Sequence, residues 1–273
     1  MNTQEIMQIA LEMAGLKEIP GDSRIYVPGE NIRRVLFGID IGVAELWVAK
    51  QLGYDCVIAH HPPGGAFGFL EVLHWHVDQM VAYGVPREVA EAAYREIAEP
   101  WAARQHSANY DHVASFARLL EMPLLNVHAP CDLVGRRIME EAVFSRLRPD
   151  STVQDVVDAL LTLPEFQRAP TRPEVRVGRP ENPAGRVVIA HGNGSNGGYP
   201  VAKAYFDHGV NTVCYLHLDP AHAARLQREG KGNVVVMGHM AGDMVGINPF
   251  LRRLREAGLE VTGVSGAADL GIF

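Results

Sequence analysis

Residues 32–61 read IRRVLFGIDIGVAELWVAKQLGYDCVIAHH, and this stretch decides the fold class. IRRVLFGID (32–40) is a short apolar run ending at an acid, and VAELWVAKQLG (43–53) reads as a helix stopped by Gly53. DCVIAHH (55–61) is a second apolar run, followed at once by Pro62, Pro63 and a glycine pair. A strand–helix–strand this compact is most simply a right-handed parallel unit. The alternation extends outward. Residues 66–122 read as helices punctuated by Pro86, Pro100 and Pro123, LLNVHA (124–129) as a strand, and CDLVGRRIMEEAVFSRL as a helix opened by Pro130. RVVIAH (186–191), NTVCYLH (211–217), NVVVMGH (233–239) and LEVTGV (259–264) read as further strands with helices between them. Thr3 reads as the cap of an N-terminal helix. The pattern predicts an α/β fold with two lobes and mainly parallel sheets flanked by helices. Lobe one is expected at about 1–150, a Pro-rich connection at about 162–185, and lobe two at about 186–273.

The composition narrows the class of function. A chain of 273 residues, 47% hydrophobic and with net charge −7, has enough apolar surface for a sizeable core, which argues against disorder. The acidic balance gives no overall attraction to nucleic acid or anionic membranes. No apolar run approaches the ~18–20 residues that span a bilayer, and the N-terminus lacks the basic and apolar regions of a signal peptide. Cys56, Cys131 and Cys214 are scattered, with no CxxC pair, which suits a reducing compartment. The expectation is a cytoplasmic protein.

The chain holds 12 histidines, more than its 8 tyrosines or 9 phenylalanines, and position explains them better than composition. His60–His61, His128, His191, His217 and His239 each end an expected apolar strand, the edge where ligands bind in parallel sheets. The doublet in VIAHHPPGG points two imidazoles in different directions, as two neighbouring metal ions would require. In HAPCD and in GHMAGD an aspartate, Asp132 or Asp243, follows a strand-end histidine by four residues. A carboxylate can bridge two cations and lower their repulsion; each aspartate alone is also explained by a helix N-terminus. The turn HGNGSNGG places Gly192, Gly194 and Gly197 as G-x-G-x-x-G between a strand and a helix. That spacing allows a dinucleotide site, an anion-holding turn or a purely structural one. His74 and His76 lie at i, i+2 on one expected helix and are read as surface or interface residues, as are His106, His112, His208 and His222. Asp40 is placed to orient a histidine from behind, and His191 and His217 are candidates for proton transfer.

The ordered set of HHP, H-x-x-x-D, a glycine-rich turn and G-H-x-x-x-acid resembles the Nif-three-like proteins, also called GTP cyclohydrolase I type 2 homologues. The likeness runs from about residue 30 to 250 and is closest in FGIDIGVAELWVAKQLGYDCVIAHHP. It implies a two-lobed protein with a dinuclear divalent metal centre, often assembled as a ring-shaped homohexamer. Carried over, it implies His60 and His61 on different metals, then Asp132, His239 and a bridging Asp243 as ligands; the strand-end His128 is itself the candidate for a nearby acid/base or an extra ligand. The chain departs from the family by carrying Asp243 for the usual glutamate, by reading HAPCD where the family has H-T-N-L-D, and by a longer gap between the first two motifs, which implies a helical insertion at about 65–110. The donor set accommodates two divalent ions per chain from among Zn, Mn, Fe, Co and Ni. The expected function is that of a metal-dependent hydrolase with a metal-bridging water, acting on a small-molecule substrate, with phosphorylated compounds and nucleotides as candidates. Ring-opening of GTP follows from the family name alone. The alternatives are a non-catalytic metal-binding, delivery or assembly protein, and a nucleotide-binding oxidoreductase.

Overall fold

The structure is a computed structural model and describes residues 1–64 and 68–267. In chain order its elements are α1 (Thr3–Ala14), β1 (Arg24–Val27), β2 (Arg34–Gly38), α2 (Val43–Gln51), β3 (Cys56–Ala59), α3 (Phe69–Leu73), α4 (Trp75–Ala82), α5 (Arg87–Gln105), α6 (His112–Leu119), β4 (Leu124–Asn126) and α7 (Ala129–Phe144). They continue as α8 (Val153–Leu160), α9 (Pro164–Arg168), β5 (Glu174–Val177), β6 (Val187–Ile189), α10 (Gly198–Asp207), β7 (Thr212–Tyr215), α11 (Pro220–Glu229), β8 (Asn233–Val236), α12 (His239–Glu256) and β9 (Glu260–Val264). Two compact units take these segments alternately. Residues 1–72, 104–134 and the chain from Gly246 form the first; 73–103 and 135–245 form the second.

Each unit is built on one mostly parallel sheet. The first has strand order β1-β4-β3-β2-β9 and the second β5-β8-β7-β6. In both, only the edge strand β1 or β5 runs antiparallel, and its register shifts at the same point, between Ile25 and Val27 or between Val175 and Val177. The second sheet thus repeats β1-β4-β3-β2 of the first. The interior strands β3 and β7 are buried at every residue, as expected of parallel strands covered on both faces. Leu46, Ala49, Val113 and Ala117 from α2 and α6 pack with Val57, Ala59 and Leu124 in the first unit. In the second, Val77, Met80, Ala90 and Ala93 from α4 and α5 pack with Val188, Val213 and Val234.

Several expectations change. The C-terminal strand, expected in lobe two, is β9 and pairs with β2 of the first sheet. Residues 162–185 are not a bare connection, because they hold α9 and β5; proline tolerates an edge strand, so a Pro-rich context concealed EVRV. β1, RIYV, was likewise unforeseen. The helical stretch expected at 65–110 holds α3, α4 and α5, with 65–67 outside the described residues. The cap of α1 is Asn2 rather than Thr3: Asn2 Oδ1 accepts the Glu5 N–H at 2.8 Å and Glu5 Oε2 accepts the Asn2 N–H at 2.8 Å, a reciprocal capping box. No helix among the described residues is long and apolar enough to cross a membrane.

Candidate metal site

The first unit gathers four of the expected residues where β3 and β4 end. His60 and His61 follow β3 directly, and the backbone N–H groups of both bond to the β2 end, at Gly38 O and Ile39 O. His128 lies two residues past β4, and Asp132 sits in the first turn of α7, which starts at Ala129. The three imidazole centroids lie 4.9–5.6 Å apart, and ligand nitrogens of the three rings fall within 4.8 Å of one another.

What fixes each ring is the partner of its Nδ1. His60 Nδ1 lies 2.9 Å from Val127 O, a carbonyl that can only accept, so this nitrogen carries the proton. His61 Nδ1–H donates to Asp40 Oδ1 at 2.8 Å, the orienting role expected of Asp40. His128 Nδ1–H donates to Asp22 Oδ2 at 2.7 Å. In the neutral rings all three Nε2 atoms are therefore lone-pair nitrogens. His60 Nε2 faces Asp132 Oδ1 at 3.2 Å, and His128 Nε2 lies 3.6 Å from Asp132 Oδ2. These are electron-pair donors facing electron-pair donors, with His60 and Asp132 almost wholly buried. A proton or a metal ion among these atoms would relieve the repulsion between the facing lone pairs. Histidines held through Nδ1 by carboxylate or carbonyl are the usual support of a metal site. The residues present fit a divalent ion with nitrogen and oxygen ligands.

The second unit pairs the remaining two. α12 opens at His239 itself, so Asp243 lies one turn inside the helix and is not its cap; the i, i+4 spacing puts both on one face, with Nε2 and Oδ2 3.4 Å apart. Asp243 is 2% exposed. Gly238, just before, has φ 93°, a conformation that suits glycine and lets the chain turn from β8 into the helix. The His217 ring lies 5.0 Å from that of His239. Partial desolvation is the first cause that lowers the His217 pKa, and the neighbouring His239 adds to it.

The glycine-rich turn lies between β6 and α10, with Gly192 at φ 74° and Gly194 at φ 78°. A side chain at Gly197 would meet Val201 at 2.3 Å, so that glycine serves close packing. The N–H of Tyr199 in the first turn of α10 donates to His222 Nδ1 at 3.2 Å. His76, expected at the surface or an interface, is fully buried and clamps this turn. Its Nε2–H donates to Ser195 O at 2.8 Å, and Nδ1 lies 3.4 Å from Asn193 Nδ2. Burial pushes its pKa down to about 4. His191 is buried too, and its carbonyl accepts from Arg136 at 3.3 Å.

Sequence reasoning missed Asp22, whose side chain is fully buried behind His128, and Asn196, which contacts His217. Asp22 lies 106 residues from His128 and belongs to no motif. The aspartate of a PGDSR loop gives no sign of a partner so remote.

No family model matches the chain, and no curated protein does. Among solved structures, a NIF3 superfamily protein from Sphaerobacter thermophilus is 51% identical over 97% of this chain and 98% of its own, with a TM-score of 0.96. Reduced HcgD from Methanocaldococcus jannaschii shares the fold at TM-score 0.61 and 13% identity, covering 96% of this chain and 97% of its own. A Bacillus cereus protein related to NIF3 does so at 0.55 and 12%, covering 97% and 96%. High identity over essentially the full length of both chains settles the family: this chain belongs to the NIF3 superfamily.

Proposed function

We propose that the chain is a dinuclear divalent-metal protein acting as a metal-dependent hydrolase, with His60, His61, Asp132, His239 and Asp243 as ligands. The observation that carries this reading is the facing of the His60 Nε2 lone pair and Asp132 Oδ1 at 3.2 Å while Val127 O holds the proton on Nδ1. Motif order and the second His–Asp pair, His239 and Asp243, support two ions rather than one. Divalent ions bound there would supply Lewis acidity, lowering the pKa of water and polarising the bond to be cleaved.

The chain's own residues do the rest. Val127 O and Asp40 hold His60 and His61 in the tautomers that present Nε2. Asp22 does the same for His128, which is then a proton acceptor at Nε2 or a further ligand. Asp132 and Asp243 bring negative charge that offsets part of the ions' charge. The glycine-rich turn, Gly192, Gly194 and Gly197, is the candidate for holding an anionic part of a small-molecule substrate. The resemblance also supports a homohexamer in the cytoplasm.

Metal content per chain, measured on protein purified without added metal or chelator, tests the proposal. About two equivalents are expected in the wild type and well under one in His60→Ala/His61→Ala. No metal in either, even after anaerobic reloading with Mn, Fe or Zn, would sink it. Given metal, turnover across phosphoester, nucleotide and amide panels that disappears in a folded Asp243→Ala protein supports the hydrolase. A loaded protein inert on every panel points to metal storage or delivery instead.

A further inference from the structure

The repeated topology sets the two units in register, residue by residue. Ala59 pairs with Asn126 across β3 and β4, as Tyr215 pairs with Val236 across β7 and β8. His61 and His217 each lie two residues past these matched strand ends. On the neighbouring strand the second unit has one residue more, Gly238, before its histidine. His217 is thus the second unit's counterpart of His61, which the proposed function makes a ligand.

The two counterparts are anchored in opposite ways. His61 gives its Nδ1–H to a carboxylate and keeps the Nε2 lone pair. At His217 the anchor is Asn196, and the orientation of that amide is fixed: its Oδ1 accepts the Leu216 backbone N–H at 3.0 Å, and a backbone N–H can only donate. The other atom is therefore the NH2 group, and it meets His217 Nε2 at 2.9 Å. A donor facing Nε2 requires the lone pair there, so the ring proton resides on Nδ1. Nδ1–H has no partner among the described residues, and His217 is exposed. His217 spends on Asn196 the lone pair that His61 presents, and it offers an N–H instead, 5.0 Å from the His239 ring.

We propose that His217 binds an oxyanion of the substrate, a phosphoryl or carboxylate oxygen, as a hydrogen-bond donor whose tautomer is set by Asn196, and that it is not a metal ligand. The inference deepens the metal-dependent reading and relies on it for where the chemistry happens. The tautomer assignment rests on hydrogen bonding alone.

The test uses the full chain at pH 7.5. Long-range 1H–15N spectra of the histidine rings should show His217 protonated on Nδ1, with and without added Zn. Asn196→Asp exchanges the donor for an acceptor while keeping the oxygen that Leu216 needs, and should move the proton to Nε2. His217→Phe should retain the wild-type metal content, unlike His239→Ala, while its Zn-loaded form binds inorganic phosphate about tenfold more weakly than wild type. Protonation of wild-type His217 on Nε2, coordination shifts of its nitrogens on adding Zn, or unchanged phosphate affinity in His217→Phe would each overturn the proposal. A wild type that binds no metal but keeps the Nδ1–H pattern fails the metal reading and leaves the tautomer assignment standing, so the two failures are told apart.

Discussion

Asp22 Oδ2 accepts the Nδ1–H of His128 at 2.7 Å, with the carboxylate fully buried and the ring nearly so. The other oxygen, Oδ1, accepts from Ser23 Oγ–H at 3.2 Å and from the Ala129 N–H at 3.4 Å. One carboxylate thus holds both the ring and the start of the helix that carries Asp132. Asp22→Asn puts an N–H where Oδ2 stood, and His128 answers by moving its proton to Nε2, toward Asp132. Metal affinity is expected to fall about 10–100-fold, the usual effect of losing such a support. Competition with a chromophoric chelator measures it, and near-wild-type affinity would show that His128 lies outside the metal's influence.

Metal removal should destabilise the protein, because His60 Nε2 and Asp132 Oδ1 face one another across 3.2 Å. An ion bound to the folded state alone adds about 2.7 kcal/mol at a free concentration one hundred times its Kd. Thermal unfolding with and without chelator should differ for wild type and coincide for His60→Ala/His61→Ala. Equal chelator effects in both proteins would refute the assignment.

His76 should make stability depend on pH. Its pKa is about 4 in the folded protein against 6.5 in the unfolded chain, chiefly through burial. Above pH 6.5 both states are neutral and the clamp on Ser195 O is intact. As pH falls from 6.5 towards 4 the unfolded chain takes up a proton that the folded one refuses, so stability drops. The full loss, reached below about pH 4, is roughly 2–4 kcal/mol. Urea midpoints at pH 7.5 and pH 5 should therefore fall further for wild type than for His76→Gln. Parallel losses would deny His76 this role.

Gly238→Ala should separate strain from chemistry. With φ at 93° and a new Cβ 3.0 Å from Thr171 Oγ1, the substitution is expected to cost about 1–3 kcal/mol. The strain falls on the turn that aims His239, so metal affinity should drop along with the urea midpoint. A stability loss with unchanged metal affinity would mean that His239 does not depend on this turn, or is not a ligand.

Much of this was legible in the chain. Continuous apolar runs such as CVIA and VVVM, with a histidine directly after the first and one residue after the second, identify buried parallel strands and their C-terminal edge, because period and composition are local properties. The motifs around His60, His61, Asp132, His239 and Asp243 could be read for the same reason: each lies within a few residues of one strand end. The edge strands β1 and β5 were not legible. Apart from the buried Val177 their residues are exposed or half-buried, and only pairing with β4 and β8 makes them strands.

The sequence by itself determined the α/β alternation, the family and the positions of the candidate ligands. Only the tertiary structure decided that β9 returns to the first sheet, that α4 and α5 pack in the second unit, and that His76 is buried. It alone decided which nitrogen each histidine presents. A tautomer follows from what stands behind the ring, and those partners, Val127 O, Asp40, Asp22 and Asn196, lie between 21 and 106 residues away along the chain. Local patterns place a residue on an element; the proton on its side chain is placed by contacts that exist only once the chain has folded.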